Sequence, residues 1–120
     1  MNERGSGRKD RLEGAIRDEL ASLMREVRDP RVAKAGLATV TRVELAGDLA
    51  VAKVGVSFVG GEGKPDAAIQ ALTKVAPYLR GEVGRRLGLR HAPELRFAHD
   101  RAGEYAAHID ALLKEDKEDK

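Results

Sequence analysis

The sequence contains no cysteine and no tryptophan, and its only aromatic residues are Phe58, Tyr78, Phe97 and Tyr105. The lack of cysteine excludes disulfides, thiolate metal centres and a cysteine nucleophile. Aromatics make up 3% of the chain against 42% hydrophobic residues, so a core must be built from Val, Leu, Ile and Ala. Stacking of bases on aromatic rings has little to draw on. Long apolar runs are also missing. None approaches the roughly 20 residues of a membrane-spanning helix, and Met1 to Asp10 has no apolar stretch to act as a signal peptide. These absences predict a soluble cytoplasmic protein with no membrane partner.

The signatures of chemistry are absent as well. Gly60 to Gly63 lacks the Lys-Ser/Thr that opens the helix after a phosphate loop. Ser6, Ser22 and Ser57 lack nucleophile context. His91, His99 and His108 are spaced too widely for a short metal motif, and His99 with Asp100 falls short of the three or four ligands that zinc needs. The expectation is a protein that is not an enzyme, with no cofactor, no metal and no small-molecule substrate.

What is present is charge. The chain has 120 residues, enough for one domain, with 22 Lys and Arg against 20 Asp and Glu. A formal net charge of +2 says little about partners, but segregation of the charge says more. From Arg80 to Arg101 there are six arginines against Glu82, Glu94 and Asp100.

Periodicity supplies the elements. Residues 1–9 are charged, Gly-containing and aperiodic, and are expected to be a disordered tail. Leu12, Ile16, Leu20, Leu23 and Val27 recur at helical spacing from Asp10, with an end expected near Arg28 because Asp29 precedes a proline. Asp29 to Gly36 reads as a loop. Leu37–Leu45 and Leu49–Val59 read as strands, with Ala46-Gly47-Asp48 between them as a hairpin connection. Gly60 to Lys64 reads as a flexible loop, and Pro65-Asp66 as a helix start.

The next segment keeps one apolar stripe through Ile69, Leu72, Val75, Ala76, Leu79, Val83 and Leu87, with Pro77 in its middle. A proline inside a helix costs about 3 kcal/mol. The pattern therefore predicts two helices in tandem, bent near Ala76-Pro77, with Pro77 early in the second. Gly88 ends that helix. Glu94–His99 alternates as a third strand. Ala102–Leu113 carries a weak stripe of Tyr105, Ile109 and Leu112, with Asp100 as its cap, and Lys114–Lys120 reads as a disordered charged tail. Residues 10–113 thus form one two-layer α+β domain of order α-β-β-α-kink-α-β: a three-stranded sheet with helices on one face, plus a short C-terminal helix.

This order resembles a type II KH domain, a fold that clamps single-stranded nucleic acid at a Gly-rich turn between two helices. Several strings in order resemble the ribosome-binding factor A family. They are Arg28-Asp29-Pro30-Arg31, Val40-Thr41-Arg42-Val43-Glu44-Leu45, Asp48 to Val54, Tyr78-Leu79-Arg80, and Leu89 to Phe97 followed by Asp100. The resemblance covers roughly residues 10–113. It implies a monomeric, cytoplasmic factor that binds the small (30S) ribosomal subunit and its rRNA, assists late 16S rRNA maturation, and is linked to growth in the cold. In the family an Ala-x-Gly element stands at the helix bend. Here Val75-Ala76-Pro77 stands there, after Lys74.

The RNA-binding candidates are accordingly Arg28, Arg31, Lys74, Val75, Ala76, Pro77, Arg80, Arg85, Arg86 and Arg90. Arg80, Arg85, Arg86 and Arg90 are read as a phosphate-binding surface, against the plainer reading of solvated helix charge with Glu82 as partner. Asp29-Pro30 serves equally as a turn that ends the first helix. Two alternatives stay open beside ribosome binding. One is a KH-type binder of single-stranded RNA outside the ribosome. The other is a protein-interaction module presenting the last helix.

Overall fold

The computed structural model describes residues 3–102 and 112–113. Its order is α1 (Glu3–Met24), α2 (Pro30–Ala35), β1 (Gly36–Ala46), β2 (Val51–Gly60), α3 (Pro65–Leu87) and β3 (Glu94–His99). The strands form one mixed sheet of order β1-β2-β3, with β1 antiparallel and β3 parallel to β2. Parallel neighbours need a long crossover, and α3 supplies it.

Helix α1 begins well before Asp10, inside the segment expected to be a disordered tail. An existing helix adds a hydrogen bond for each residue it fixes without a new nucleation cost, so polar residues can extend it. The helix also ends early, at Met24 rather than near Arg28. Its last turn tightens through bonds from Arg25, Glu26 and Val27 N–H to carbonyls three residues back.

The Asp29–Gly36 loop is in fact mostly the short helix α2. Asp29 is its N-cap, accepting from the Arg31 N–H at 2.8 Å, and Pro30 occupies the first turn. The dipeptide expected to finish one helix therefore starts another. The adjacent glycine loop is not free either. The Lys34 carbonyl accepts N–H groups of Glu62 at 2.9 Å and Gly63 at 2.7 Å. A Cβ on Gly61 would lie 2.2 Å from the Ala35 carbonyl carbon, so only glycine lets these backbones meet.

In the β1–β2 hairpin, Gly47, Asp48 and Leu49 all have positive φ (57°, 54° and 69°), which delays β2 to Val51. Strand β1 carries a bulge at Thr41, between the Val40–Val56 and Arg42–Gly55 pairs. One extra residue flips side-chain parity. It keeps Val40 on one side of the bulge, and Val43 and Leu45 on the other, all facing the core. Ala52, Val54, Val56, Phe58 and Leu95 complete the buried sheet face. Arg42, Glu44, Lys53 and Arg96 are exposed on the other face.

Helix α3 runs unbroken from Pro65 to Leu87 with Pro77 inside it, so the expected pair of tandem helices is one helix. The stripe explains this. Leu72 before the proline, and Leu79 and Val83 after it, are all essentially fully buried. Burial of such a side chain is worth about 1.5–3 kcal/mol, and together the three outweigh the roughly 3 kcal/mol cost of an internal proline. At Gly88 (φ 65°) the helix ends, with the Leu89 N–H donated to Gly84 O at 2.8 Å. Leu72, Leu79 and Val83 close the core against Ile16, Leu20 and Leu23 of α1. Tyr105, Ile109 and the tail Lys114–Lys120 lie outside the described residues. The expected cap is present at the start of the last segment, where Asp100 accepts the Ala102 N–H at 3.1 Å.

Candidate nucleic-acid interface

Helix α3 buries Ala71, Leu72, Ala76, Leu79 and Val83. Its opposite face offers Lys74, Pro77, Tyr78, Arg80 and Arg85 to solvent. Val75-Ala76-Pro77 therefore does not act as one surface. Val75 is half-buried, Ala76 is core, and only Pro77 is exposed.

Beside Pro77 runs a groove lined by Thr73, Ala76, Pro77, Arg80, Glu94 and Leu95. Its walls are α3 and β3, the edge strand on that side of the sheet. Arg80 leans across, its Nε donating to the Ala92 carbonyl at 2.9 Å. Gly84 lets the connection before β3 pack closely, because a Cβ there would lie 3.2 Å from that of Ala92.

The other candidate arginines differ in what already holds them. Arg85 grips Glu82 with Nε at 3.0 Å and Nη2 at 2.5 Å. Tyr78 donates its hydroxyl to the same carboxylate at 3.3 Å. The Arg85 hydrogen bond, helped by the charges of Arg85 and Arg86, holds the Glu82 carboxyl below the usual glutamate range. That negative charge in turn raises the Tyr78 hydroxyl.

Arg86 sits at the seam with α1, within 3.5 Å of Glu19, 3.7 Å of Glu26 and 3.9 Å of Glu82. Its side chain is 26% exposed. Such an arginine joins two helices and has little reach toward an outside phosphate. Arg90 lies beyond the helix end, exposed and without an ion pair among the described residues.

A second cationic group gathers at the start of α2. Arg31 binds Asp29 in a fork, Nε to Oδ1 at 3.1 Å and Nη2 to Oδ2 at 3.0 Å. This fork, with the Arg31 backbone N–H, depresses the Asp29 carboxyl, and the charge of Lys74 adds to the effect. The fold thus brings Lys74 of α3 near Asp29 and Arg31, residues far away in sequence. Arg28 is exposed just before them.

Three features lay beyond sequence reasoning. Glu13 accepts the β1 N–H of Leu45 at 2.8 Å. Thr41, the bulge residue, donates its hydroxyl to Asp100 at 2.5 Å. The third is the set of glutamates around Arg86. Apart from Glu82, which stands one helical turn before Arg86, these are long-range contacts with no local pattern to announce them. Among the described residues no group of three or more His, Asp or Glu is placed to hold a metal. His99 instead has its ring centroid 5.9 Å from that of Phe58.

A family model described as ribosome-binding factor A matches residues 8–113. The chain belongs to the ribosome-binding factor A family. A ribosome-binding factor A from Desulfitobacterium hafniense is 43% identical over 108 residues, covering 89% of this chain and 84% of the relative. The crystal structure of ribosome-binding factor A from Thermus thermophilus superposes with a TM-score of 0.67 at 30% identity, covering 78% of this chain and 97% of that one. A Thermus thermophilus ribosome-binding factor A model, fitted into a cryo-electron microscopy map of a 30S complex, gives a TM-score of 0.62 at 31% identity. It covers 76% of this chain and 93% of that one. Members of the ribosome-binding factor A family therefore share this sheet and its helices, although one of the solved relatives is only 30% identical in sequence.

Proposed function

We propose that this protein binds the free small (30S) ribosomal subunit in the cytoplasm and assists late maturation of its 16S rRNA, without catalysing a reaction itself. The observation that carries this reading is the structural match to a family member whose coordinates were fitted into a 30S complex. The charge distribution supports it independently. Lys74, Arg80, Arg85 and Arg90 are exposed along α3 and just past it, and Arg80 lines the groove against β3. We read the fold as KH type II in kind, with the Pro77 groove in place of a Gly-rich clamp.

Pro77 offers no N–H, and its ring fills space near the groove. Contact there is then through side-chain cations on phosphates, which recognises shape and charge rather than sequence. Arg28, Arg31 and Lys74 extend the same surface toward α2. Arg86 acts mainly by holding α1 against α3.

Sedimentation of cell extract at low and high salt tests the reading. The protein should travel with free small subunits at low salt, leave them at high salt, and be absent from translating ribosomes. Equal presence on translating ribosomes, or failure to co-sediment at any salt, overturns it.

A further inference from the structure

The two halves of β1 are finished differently along their free edge. An unpaired strand edge invites another strand, and proteins guard such edges with charges, bulges or covering elements. The second half of β1 has all three. The bulge is at Thr41, Arg42 and Glu44 are charged, and Glu13 of α1 takes the Leu45 N–H at 2.8 Å. The first half, Gly36-Leu37-Ala38-Thr39-Val40, has no charged residue.

Beside this unguarded half lies an apolar groove. Met24 and Val27 on the α1 side, Val32 of α2, and Leu37 and Val40 of β1 line it. Leu37 is 73% exposed, the most exposed large hydrophobic side chain among the described residues, and its cross-strand partner Val59 is 47% exposed. Arg25 stands at the rim, lining both this groove and the hollow next to it that holds Arg28. Arg25 is exposed and makes no ion pair among the described residues.

We infer that Gly36–Val40 is a docking edge for an extended segment of a partner protein. The segment adds to β1 as a fourth strand, with apolar side chains at alternate positions and a carboxylate facing Arg25. Strand addition supplies main-chain hydrogen bonds, and pockets for alternate side chains supply selectivity. The period of two along a strand matches an apolar groove on one side and solvent on the other. Charge selects the occupant. A second copy of this chain, paired about a two-fold axis, would bring its own Arg25 to the same rim, and like charges oppose that. RNA finds an apolar floor with no aromatic ring on which to stack a base. The inference stands apart from the ribosomal reading, because its test uses the isolated full chain.

The probe is a fluorescein-labelled peptide of about seven residues alternating valine and threonine, with one terminal valine position replaced by glutamate to face Arg25, long enough to span the five-residue edge. Fluorescence polarisation should show saturable binding at or below roughly millimolar concentration. The same peptide with lysine in place of that glutamate should bind roughly tenfold more weakly. Methylating alternate backbone nitrogens on the pairing side should abolish binding with charge unchanged, and Arg25→Gln should weaken it. Amide chemical shifts should move at Gly36 to Val40. The inference is overturned if the acidic peptide does not bind, if both charge types bind equally, or if backbone methylation makes no difference. It is equally overturned if a single-stranded oligonucleotide displaces the peptide from those amides. A self-association that the peptide abolishes would assign the edge to a second copy and also end the proposal.

Discussion

The sheet has two edges, and the chain finishes them in opposite ways. Along β3 the groove against α3 is lined by one cation, Arg80, and one acid, Glu94, with Ala76, Pro77 and Leu95 as its apolar part, while Lys74 and Arg85 are exposed elsewhere on α3 and Arg90 lies past its end. Along the first half of β1 the groove is apolar and its cationic contribution is a single arginine, Arg25. Charge in quantity suits a polyanion, whose condensed counterions are released on contact. An apolar trough beside free backbone groups suits a peptide strand. One small domain therefore offers two surfaces whose chemistries do not overlap.

The largest effect should come from reversing charge on α3 and just past it. Lys74, Arg80, Arg85 and Arg90 all changed to Glu should abolish co-sedimentation with small subunits. The same reversal at Arg11 and Arg17, exposed on α1, should weaken it far less. Single neutralisations should each flatten the salt dependence of binding by about one log–log unit. Arg86 differs from these four. Its reversal would set a fourth carboxylate beside Glu19, Glu26 and Glu82 and would damage the α1–α3 seam, confounding loss of binding with loss of fold.

Next in size is Gly61→Ala, which strikes the wall of the β1-edge groove. The new Cβ would meet backbone of Ala35 and Gly36 at 2.2–2.4 Å. Backbone cannot swing aside as a side chain can, so the loop must lift from α2. The expected cost is about 1–3 kcal/mol, typical of overpacking, read as a lower urea midpoint. Gly81→Ala is the control, since nothing lies within 4 Å of its added Cβ. If both variants unfold at the same midpoint, the loop does not brace the groove.

This pair of glycines also marks where the sequence stops being readable. Strand β3 matched its alternating pattern residue for residue, and the α3 stripe identified Leu72, Ala76, Leu79 and Val83 as buried, while Ile69, Val75 and Leu87 are half-buried and the buried Ala68 and Ala71 fell outside it. Both follow from local periodicity. The loop at Gly60–Gly63 looked flexible because its clamp is a carbonyl at Lys34, distant in sequence. Asp29-Pro30 looked like a stop, since a cap that starts a six-residue helix is written in the same residues as a turn. Pro77 looked like a break, because its local cost is visible in sequence while the packing on both sides of it is tertiary. At the candidate interface, Glu82 as a partner of the α3 arginines was legible from helical spacing. The hold of Glu19 and Glu26 on Arg86 was not, because they reach it only through helix packing.

A smaller effect distinguishes available from occupied cations on α3. Glu82 holds Arg85 as a phosphate oxygen would, so RNA must compete with it. Glu82→Gln keeps the shape and removes the competing charge. Affinity for the small subunit should rise by roughly two- to fivefold, the scale of a surface ion pair. A fall in affinity would mean that Glu82 orients the arginines for binding rather than masking them.

The smallest effect concerns α2, which lies between the two edges. Asp29 both caps α2 and forks to Arg31, and the Arg31 hydrogen bond is the main reason its carboxyl titrates below the ordinary value of 3.8. A carboxyl whose pKa is lower folded than unfolded stabilises the fold fully above the unfolded value. That stabilisation is lost as the pH falls through the folded one. Asp29→Asn should therefore lower the urea midpoint slightly at pH 7, and the two curves should converge as the pH is taken below 3.8. Lys74 and Arg31 are the cations acting on this carboxyl. Added salt should accordingly shrink the pH 7 difference by weakening the Lys74 contribution, while the hydrogen-bonded Arg31 fork persists. A difference that is independent of pH would leave Asp29 as a hydrogen-bonding cap alone and remove charge from the account of how α2 is anchored between the two edges.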